Sequence, residues 1–117
     1  MGIKLRIAEI EEYFKGPVFL TTDAEGKLPE SKVESRSTDV AKVNGWWSRK
    51  FKTPTNRGAP DRIFVKEGRV VFIEYKRVGK VPTPLQRQVA AEMLDHDAEV
   101  WWTDSVRGTK SILGINT

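Results

Sequence analysis

The sequence predicts a single α/β domain, and three observations support this. A chain of 117 residues is long enough for one hydrophobic core but too short for two. Helical and strand patterns alternate in the order helix, strand, β-hairpin, helix, strand. No apolar run of about 18 residues occurs, and charges are spread through residues 1–15, so we expect a soluble protein without a membrane span or secretory signal.

Composition limits the chemistry that the chain can perform. There is no cysteine and His96 is the only histidine, so disulfides and zinc sites built on thiolates or imidazoles are excluded, and any metal must be held by oxygen atoms. The net charge is +4, but residues 49–87 hold eleven basic side chains against three acids. This basic region predicts a polyanionic partner. Small basic domains often bind nucleic acid without cutting it, so charge alone does not indicate catalysis.

The first part of the chain is predicted to contain two secondary-structure elements. Residues 3–15 have apolar side chains at loose helical spacing, and residues 18–20 form a short strand-like run. Residues 29–44 form a second predicted helix, ending at Asn44-Gly45. Glu30 and Glu34 lie near its buried stripe. Either acid can be a metal ligand, and either can equally serve only to complement the helix dipole.

A strand is predicted for residues 46–52 from its alternation: one face would carry Trp47, Arg49 and Phe51, and the other Trp46, Ser48 and Lys50. Its paired tryptophans, Trp46 and Trp47, are expected in the core rather than as base-stacking platforms. Lys50 is a candidate phosphate contact on this strand. The polar loop that follows places Arg57 within reach of a nucleic-acid backbone.

A β-hairpin is the central feature of the sequence. Two strand-like runs, residues 62–66 and 69–76, flank the turn Glu67-Gly68, and Asp61 directly precedes the first run. With this turn, Lys66 pairs with Arg69, and outward steps place Asp61 opposite Glu74. Because side chains alternate, one face of the hairpin carries Asp61, Ile63, Val65, Val70, Phe72, Glu74 and Lys76.

The two opposed carboxylates predict a metal site. Like charges opposite each other on a sheet are destabilising unless a positive group lies between them. A hard cation such as Mg²⁺ prefers oxygen ligands and is held by one or two carboxylates together with water and phosphate. Lys76 can then orient an attacking water or neutralise charge on a phosphate. The alternative is an ordinary exposed hairpin with solvated charges.

The last third of the chain predicts a helix, a strand and a terminal element. Thr83-Pro84-Leu85-Gln86 has the form of a capping box with proline at the first helical position. The helix is expected to bury Leu85, Val89 and Met93. Residues 98–103 form a strand, and residues 104–113 a short helix or loop. His96 lies in the connection, where we expect a turn residue rather than a catalytic base.

These segments together resemble a known family. The chain resembles the VRR-NUC domain, a branch of the PD-(D/E)XK nuclease superfamily, over about residues 29–106. The motifs that carry the resemblance are Glu30-Ser31-Lys32-Val33-Glu34, Lys50-Phe51, Arg57-Gly58-Ala59-Pro60-Asp61-Arg62, Glu74-Tyr75-Lys76 and Pro84-Leu85-Gln86. Residues 1–28 have no counterpart in the minimal domain, so they are expected to be an extension packed on the core formed by residues 29–117. The chain also departs from the family at Asp95-His96-Asp97, where a glycine is usual.

The resemblance implies a restriction-endonuclease-like fold, with a mixed central sheet flanked by helices, and a metal-dependent endonuclease. It implies Mg²⁺ or Mn²⁺ held by Asp61, Glu74 and the Tyr75 carbonyl, with Glu30 or Glu34 completing the site. Lys76 would activate or position water, and Gln86 would support the site. The residues expected to contact nucleic acid are Lys50, Arg57, Arg62, Lys80 and Arg87.

The resemblance also implies a substrate and a setting. Family members that consist of this domain alone look like dimeric enzymes that act on branched DNA such as Holliday junctions. Members in which the domain is fused into a larger repair protein cut flaps instead. We therefore expect a homodimer acting on branched or structured DNA in the cytoplasm of a bacterial or phage-infected cell. Two alternatives stay open: a non-catalytic DNA-binding module of the same fold, and a nuclease directed at RNA.

Overall fold

The computed structural model describes residues 28–115 of the chain. Within these residues the elements follow in the predicted order. They are α1 (Glu30–Val43), β1 (Trp47–Lys50), β2 (Arg62–Lys66), β3 (Arg69–Tyr75), α2 (Pro84–Asp95), β4 (Glu99–Thr103) and α3 (Val106–Leu113). The helix and strand predicted within residues 3–20 lie outside the described part.

The strands form one mixed sheet in the order β1-β2-β3-β4. The first two pairings are antiparallel, whereas β3 and β4 are parallel. A parallel pair needs a crossover connection, and α2 supplies it between β3 and β4. The fold is therefore α/β with a mixed sheet and flanking helices, as expected.

The hairpin register agrees with the prediction. Lys66 pairs with Arg69, and the ladder continues outward to Arg62 opposite Ile73. The turn residues Glu67 and Gly68 both have positive φ, 50° and 84°. A two-residue turn with this geometry matches the right-handed twist of the flanking strands. The next outward step places Asp61 opposite Glu74.

Helices cover the two faces of the sheet differently. α1 and α3 pack on one face, where the buried residues include Val33, Ala41, Phe64, Val71 and Ile112. α2 packs on the other face near β4, around Ala90, Leu94, Val100 and Trp102. The two tryptophans separate: Trp46 joins the core, but Trp47 is 50% exposed on the edge strand.

A buried chain of hydroxyl groups links the layers on the α1 and α3 side. The Tyr75 hydroxyl lies 2.8 Å from Thr109 Oγ1, which donates to Ser37 Oγ at 2.9 Å. All three residues are fully buried. Burial comes first among the causes that raise the pKa of the Tyr75 phenol, so this group stays protonated. The network ties β3 to both α1 and α3.

Two sequence predictions about individual elements are wrong in detail. α2 does not bury Leu85, which is 43% exposed; its buried stripe is Gln86, Ala90 and Leu94. The capping box turns Gln86 inward, which shifts the buried side of the helix by one residue. The strand predicted for residues 46–52 is shorter and spans Trp47–Lys50.

The end of α2 explains how the chain replaces the usual glycine. His96 is the C-cap, and its ring contacts the Glu92 carbonyl, which agrees with a turn residue. The Asp97 N–H bonds the Leu94 carbonyl and the Ala98 N–H bonds the Met93 carbonyl, both at 3.0 Å, which is a Schellman motif. Asp97 takes the left-handed conformation that this motif requires, with φ 69°.

The terminal element predicted as helix or loop is a helix, α3. Within residues 28–115 no helix combines the length and apolarity needed to cross a bilayer.

Candidate active site

Asp61 is fixed at the entrance to β2. It is only 7% exposed, and its Oδ2 accepts a hydrogen bond of 2.8 Å from the Tyr75 main-chain N–H. The preceding loop is held against α2 at Gly58, which has φ 82°. A Cβ at this glycine would lie 2.8 Å from Val89 Cγ2 and 2.9 Å from Leu85 Cγ. The loop therefore reaches its position only because residue 58 has no side chain.

Glu74 lies across from Asp61, near the end of β3. It is 2% exposed. Its Oε2 accepts a hydrogen bond of 2.9 Å from Gln86 Nε2 and lies 3.5 Å from Lys76 Nζ. Its other oxygen, Oε1, is buried and has no hydrogen-bond partner within the described residues. One carboxylate oxygen is thus held by the protein while the other remains available.

Burial and mutual repulsion change the acidity of this pair. Desolvation, followed by the charge of Asp61, raises the pKa of Glu74 from 4.5 to about 8, and Lys76 only partly opposes this. Burial also raises the pKa of Asp61, against the effect of the Tyr75 N–H bond. At neutral pH the metal-free site therefore favours a proton on Glu74.

Gln86 reaches the site because of the way α2 begins. Thr83 Oγ1 accepts from the Gln86 N–H at 3.2 Å, and Gln86 Oε1 accepts from the Thr83 N–H at 2.8 Å. The amide oxygen is occupied by this capping box, so Nε2 points toward Glu74. One side chain both starts the helix and orients a carboxylate.

A cavity of about 360 Å³ opens beside Asp61. Glu30 and Glu34 from α1 form part of its wall, together with Lys50 and Lys52. Glu34 is buried and accepts from Arg62 Nε at 2.8 Å, with Lys50 Nζ 3.4 Å away. Glu30 is exposed. Because Glu34 already has two basic partners, Glu30 is the first-helix acid with the freer side chain.

Comparisons with known proteins show a shared fold and a phage relative. No family model matches the chain. A solved structure described as "VRR_NUC domain" superposes with a TM-score of 0.66, covering 75% of this chain and 97% of that one, at 21% identity. A protein called "Putative nuclease p44", from Acyrthosiphon pisum secondary endosymbiont phage 1, is 31% identical over 79 residues, which is 67% of this chain and 85% of that protein. The chain belongs to the VRR-NUC family.

The VRR-NUC fold brings the predicted residues together to different degrees. Asp61, Glu74, Lys76 and Gln86 form one contiguous cluster. The Tyr75 carbonyl is the main-chain group next to Glu74 in the sequence. Glu30 and Glu34 lie across the cavity.

The five residues predicted to contact nucleic acid lie in different settings. Arg57 and Lys80 are exposed. Arg87 donates from Nη1 to the Pro82 carbonyl at 2.7 Å. Lys50 and Arg62 both face Glu34.

Sequence reasoning missed Lys52. This residue lines the cavity, and its charge lowers the pKa of both Asp61 and Glu74. The Phe51 N–H bonds the Asp61 carbonyl at 2.8 Å, so the β1–β2 pairing continues beyond the strand end toward the site. The predicted strand, residues 46–52, already contained Lys52, but the strand pattern did not show that this side chain lines the cavity beside Asp61.

The donor set fits a hard divalent cation bound with water and phosphate. Within residues 28–115, no three carboxylate or imidazole side chains lie close enough to enclose a metal ion by themselves. Two buried carboxylates are nevertheless sufficient for Mg²⁺, which keeps several waters and uses substrate phosphate as a ligand. The buried Oε1 of Glu74 is the kind of unpaired acceptor that a cation would satisfy.

Proposed function

We propose that the protein is a Mg²⁺- or Mn²⁺-dependent endonuclease that hydrolyses DNA phosphodiester bonds. The observation that carries the proposal is the buried pair of Asp61 and Glu74, in which Tyr75, Gln86 and Lys76 fix one oxygen of each carboxylate. Two carboxylates placed together at a cost in stability are typical of a site selected for function. Membership of the VRR-NUC family, and the name of the phage relative, support the same activity.

The residues around the proposed metal each have a defined part. Asp61, Glu74 and the Tyr75 carbonyl would hold the cation, with Glu30 reached through water from across the cavity. A bound cation would neutralise charge on the phosphate and lower the pKa of a bound water. Lys76 Nζ lies 3.5 Å from Glu74 Oε2 and its side chain is 13% exposed, so its ammonium would neutralise charge on a phosphate bound beside Glu74. Gln86 prevents Glu74 from rotating away.

The basic surface supports a nucleic-acid substrate. Lys50, Arg57, Arg62, Lys80 and Arg87 are all within the basic region, and Lys52 adds to it at the cavity wall. We extend the proposal to branched or structured DNA, such as a four-way junction or a flap, and to a homodimer acting in DNA repair. These extensions rest on the family resemblance.

Cleavage of a substrate panel tests the proposal. The panel holds a four-way junction, a flap, a duplex, single-stranded DNA and matched RNA, each assayed with Mg²⁺, Mn²⁺ or EDTA. We expect DNA to be cleaved only when Mg²⁺ or Mn²⁺ is present. The cleavage rate should fall by at least about 100-fold in Asp61→Asn, Glu74→Gln and Lys76→Ala. DNA binding should stay within a few-fold, because phosphate contacts dominate affinity. Glu92→Gln, an exposed acid on α2, is the control.

Four results would contradict parts of this proposal. Full activity in Asp61→Asn would remove the assignment of the site. Tight binding without cleavage of any substrate would favour the non-catalytic module, and cleavage of RNA alone would favour the RNA nuclease. A monomer by sedimentation at the assay concentration, with and without DNA, would exclude the homodimer.

A further inference from the structure

A second polar cavity lies between α1 and the edge strand β1. Its volume is about 240 Å³, and none of its lining residues lines the cavity beside Asp61. Its wall includes the basic side chains of Lys42, Arg49 and Arg62 and the hydroxyl-bearing Ser48. We call it the β1 pocket.

Basic side chains outnumber acids in the β1 pocket. Asp39 is the single acid among its lining residues, against three Lys and Arg side chains. The Lys42 side chain is exposed and makes no hydrogen bond or ion pair within residues 28–115. A lysine in the last turn of a helix can serve only to complement the helix dipole, and that role is an outcome of the test below.

The two arginines are held in place but keep donors available. Arg62 uses only Nε for Glu34, which leaves both terminal nitrogens of its guanidinium without a protein partner among residues 28–115. Arg49 starts from the opposite side of the edge strand, donates from Nη1 to the Ser48 carbonyl at 2.8 Å, stacks over Trp47 at 4.8 Å, and is one of the residues that line the pocket. Because both guanidinium groups are oriented in advance, binding a phosphate costs them less side-chain entropy than it would cost free arginines.

Ser48 provides an independent indication of a ligand. Its Oγ is buried and has no hydrogen-bond partner within the described residues. A buried hydroxyl without a partner destabilises the folded protein, and a bound ligand that accepts from it removes that cost. Side chains alternate along β1, so Ser48 points to the α1 side of the strand, where the pocket lies.

We propose that the β1 pocket binds a phosphate group through Lys42, Arg49, Arg62 and Ser48. Guanidinium groups, an ammonium and a hydroxyl together form a donor set that matches phosphate oxygens. We assign this group to a backbone phosphate of the DNA strand that is cut at Asp61. This assignment rests on the proposed function. The pocket then fixes the position of that strand relative to the two carboxylates.

The strand register gives the spacing between the two phosphates. Ser48 pairs with Phe64, which is three residues from Asp61 along the chain. At about 3.3 Å per residue this is about 10 Å. Successive phosphates of one strand advance about 3.4 Å along a duplex axis, so a DNA strand that runs along β2 would place a phosphate within about three nucleotides of the cleaved bond in the pocket.

Salt-dependent DNA binding tests the pocket without any cleavage. The double variant Lys42→Gln/Arg49→Gln is compared with Lys32→Gln/Arg107→Gln, which removes the same charges at exposed positions outside both cavities. Affinity for a duplex probe is measured in EDTA over a range of salt concentrations. Losing one phosphate contact should reduce the slope of log affinity against log salt by about 0.9 and weaken binding about eightfold at 0.1 M salt. The control pair should leave the slope unchanged.

Titration with inorganic phosphate and with DNA distinguishes the sources of the group. Amide and arginine side-chain NMR signals of Ser48, Arg49 and Arg62 should shift saturably with inorganic phosphate, and DNA should compete. Shifts with phosphate that DNA does not displace would show a free-phosphate site and overturn the assignment to the strand. No shift with either probe would overturn the pocket, and Lys42 would then serve only the helix dipole.

The slope experiment also separates this proposal from the proposed function. A slope reduced by about 1.8 would mean two separate phosphates and would contradict a shared pocket. Wild type that cleaves DNA, with an unchanged slope in the double variant, would refute the pocket alone. Wild type that binds DNA through the pocket but never cleaves would refute the nuclease proposal alone.

Discussion

Replacing Glu74 by glutamine should stabilise the metal-free protein at neutral pH. The pKa of Glu74 is raised to about 8 in the folded protein, compared with 4.5 for the ordinary side chain. Below the lower value both folded and unfolded states are protonated, and the contribution to stability is fully present. As the pH rises toward 8, the unfolded state loses its proton while the folded state keeps it, so stability falls.

The expected effect is large enough to measure. One pKa unit corresponds to about 1.36 kcal/mol, so the free energy of unfolding should fall by about 2.5 kcal/mol between pH 5 and pH 7 in the wild type. Glu74→Gln cannot ionise and keeps an oxygen that can accept from Gln86, so it should lose most of this pH dependence. Urea unfolding in EDTA at pH 5, 6 and 7 measures the difference between the two proteins.

Bound metal should make the wild type more stable than Glu74→Gln at pH 7, which reverses the order expected in EDTA. A cation that binds only the folded state stabilises it by about 2.7 kcal/mol at a concentration a hundredfold above Kd. Mn²⁺ should therefore stabilise the wild type strongly at pH 7, but Glu74→Gln and Asp61→Asn only weakly. The exposed-acid control Glu92→Gln should follow the wild type throughout. Parallel pH curves for wild type and Glu74→Gln would show that burial and the charge of Asp61 do not raise the pKa of Glu74, and the reasoning would be wrong.

Three further substitutions test the fold around the site by thermal melting. Asp97→Gly should stabilise by about 0.5–1 kcal/mol, because glycine adopts the φ of 69° without strain; an equal gain in Asp97→Ala would argue against this cause. Gly58→Ala should destabilise by about 1–3 kcal/mol and also reduce cleavage, because its Cβ would clash with α2 and displace the loop before Asp61; wild-type melting and activity would contradict that packing. Tyr75→Phe should cost about 1 kcal/mol, because Thr109 loses its phenol partner but keeps Ser37, and a neutral result would show that the hydroxyl chain adds nothing.

The hairpin could be predicted from sequence because its information is local. Alternating strand residues and a two-residue turn fix the register, and the register alone places Asp61 opposite Glu74. The capping box at Thr83 was predictable for the same reason, since its two hydrogen bonds join residues three apart. Local patterns that allow one geometry identify positions well.

Features that depend on contacts between distant elements could not be predicted in this way. Glu34 is paired with Arg62, a contact between residues 28 positions apart, and only the folded chain shows that Glu30 is the freer acid. The buried stripe predicted for α2 was wrong by one residue, because helical periodicity does not show that Gln86 turns toward Glu74. The residues of the β1 pocket gave no sequence pattern, since α1 and β1 bring them together only by packing.

The connection between β3 and β4 has a consequence for the order in which the protein folds. The hairpin closes over a short loop, so we expect it to form early, whereas parallel pairing across the α2 crossover joins distant segments and should form late. Asp61 and Glu74 should then meet while still hydrated, and their repulsion should grow only when α2 brings Gln86 and excludes water. A cation bound at the finished site should slow unfolding and leave the refolding rate almost unchanged. For this nuclease fold, metal would then set the lifetime of the native state rather than the speed at which it forms.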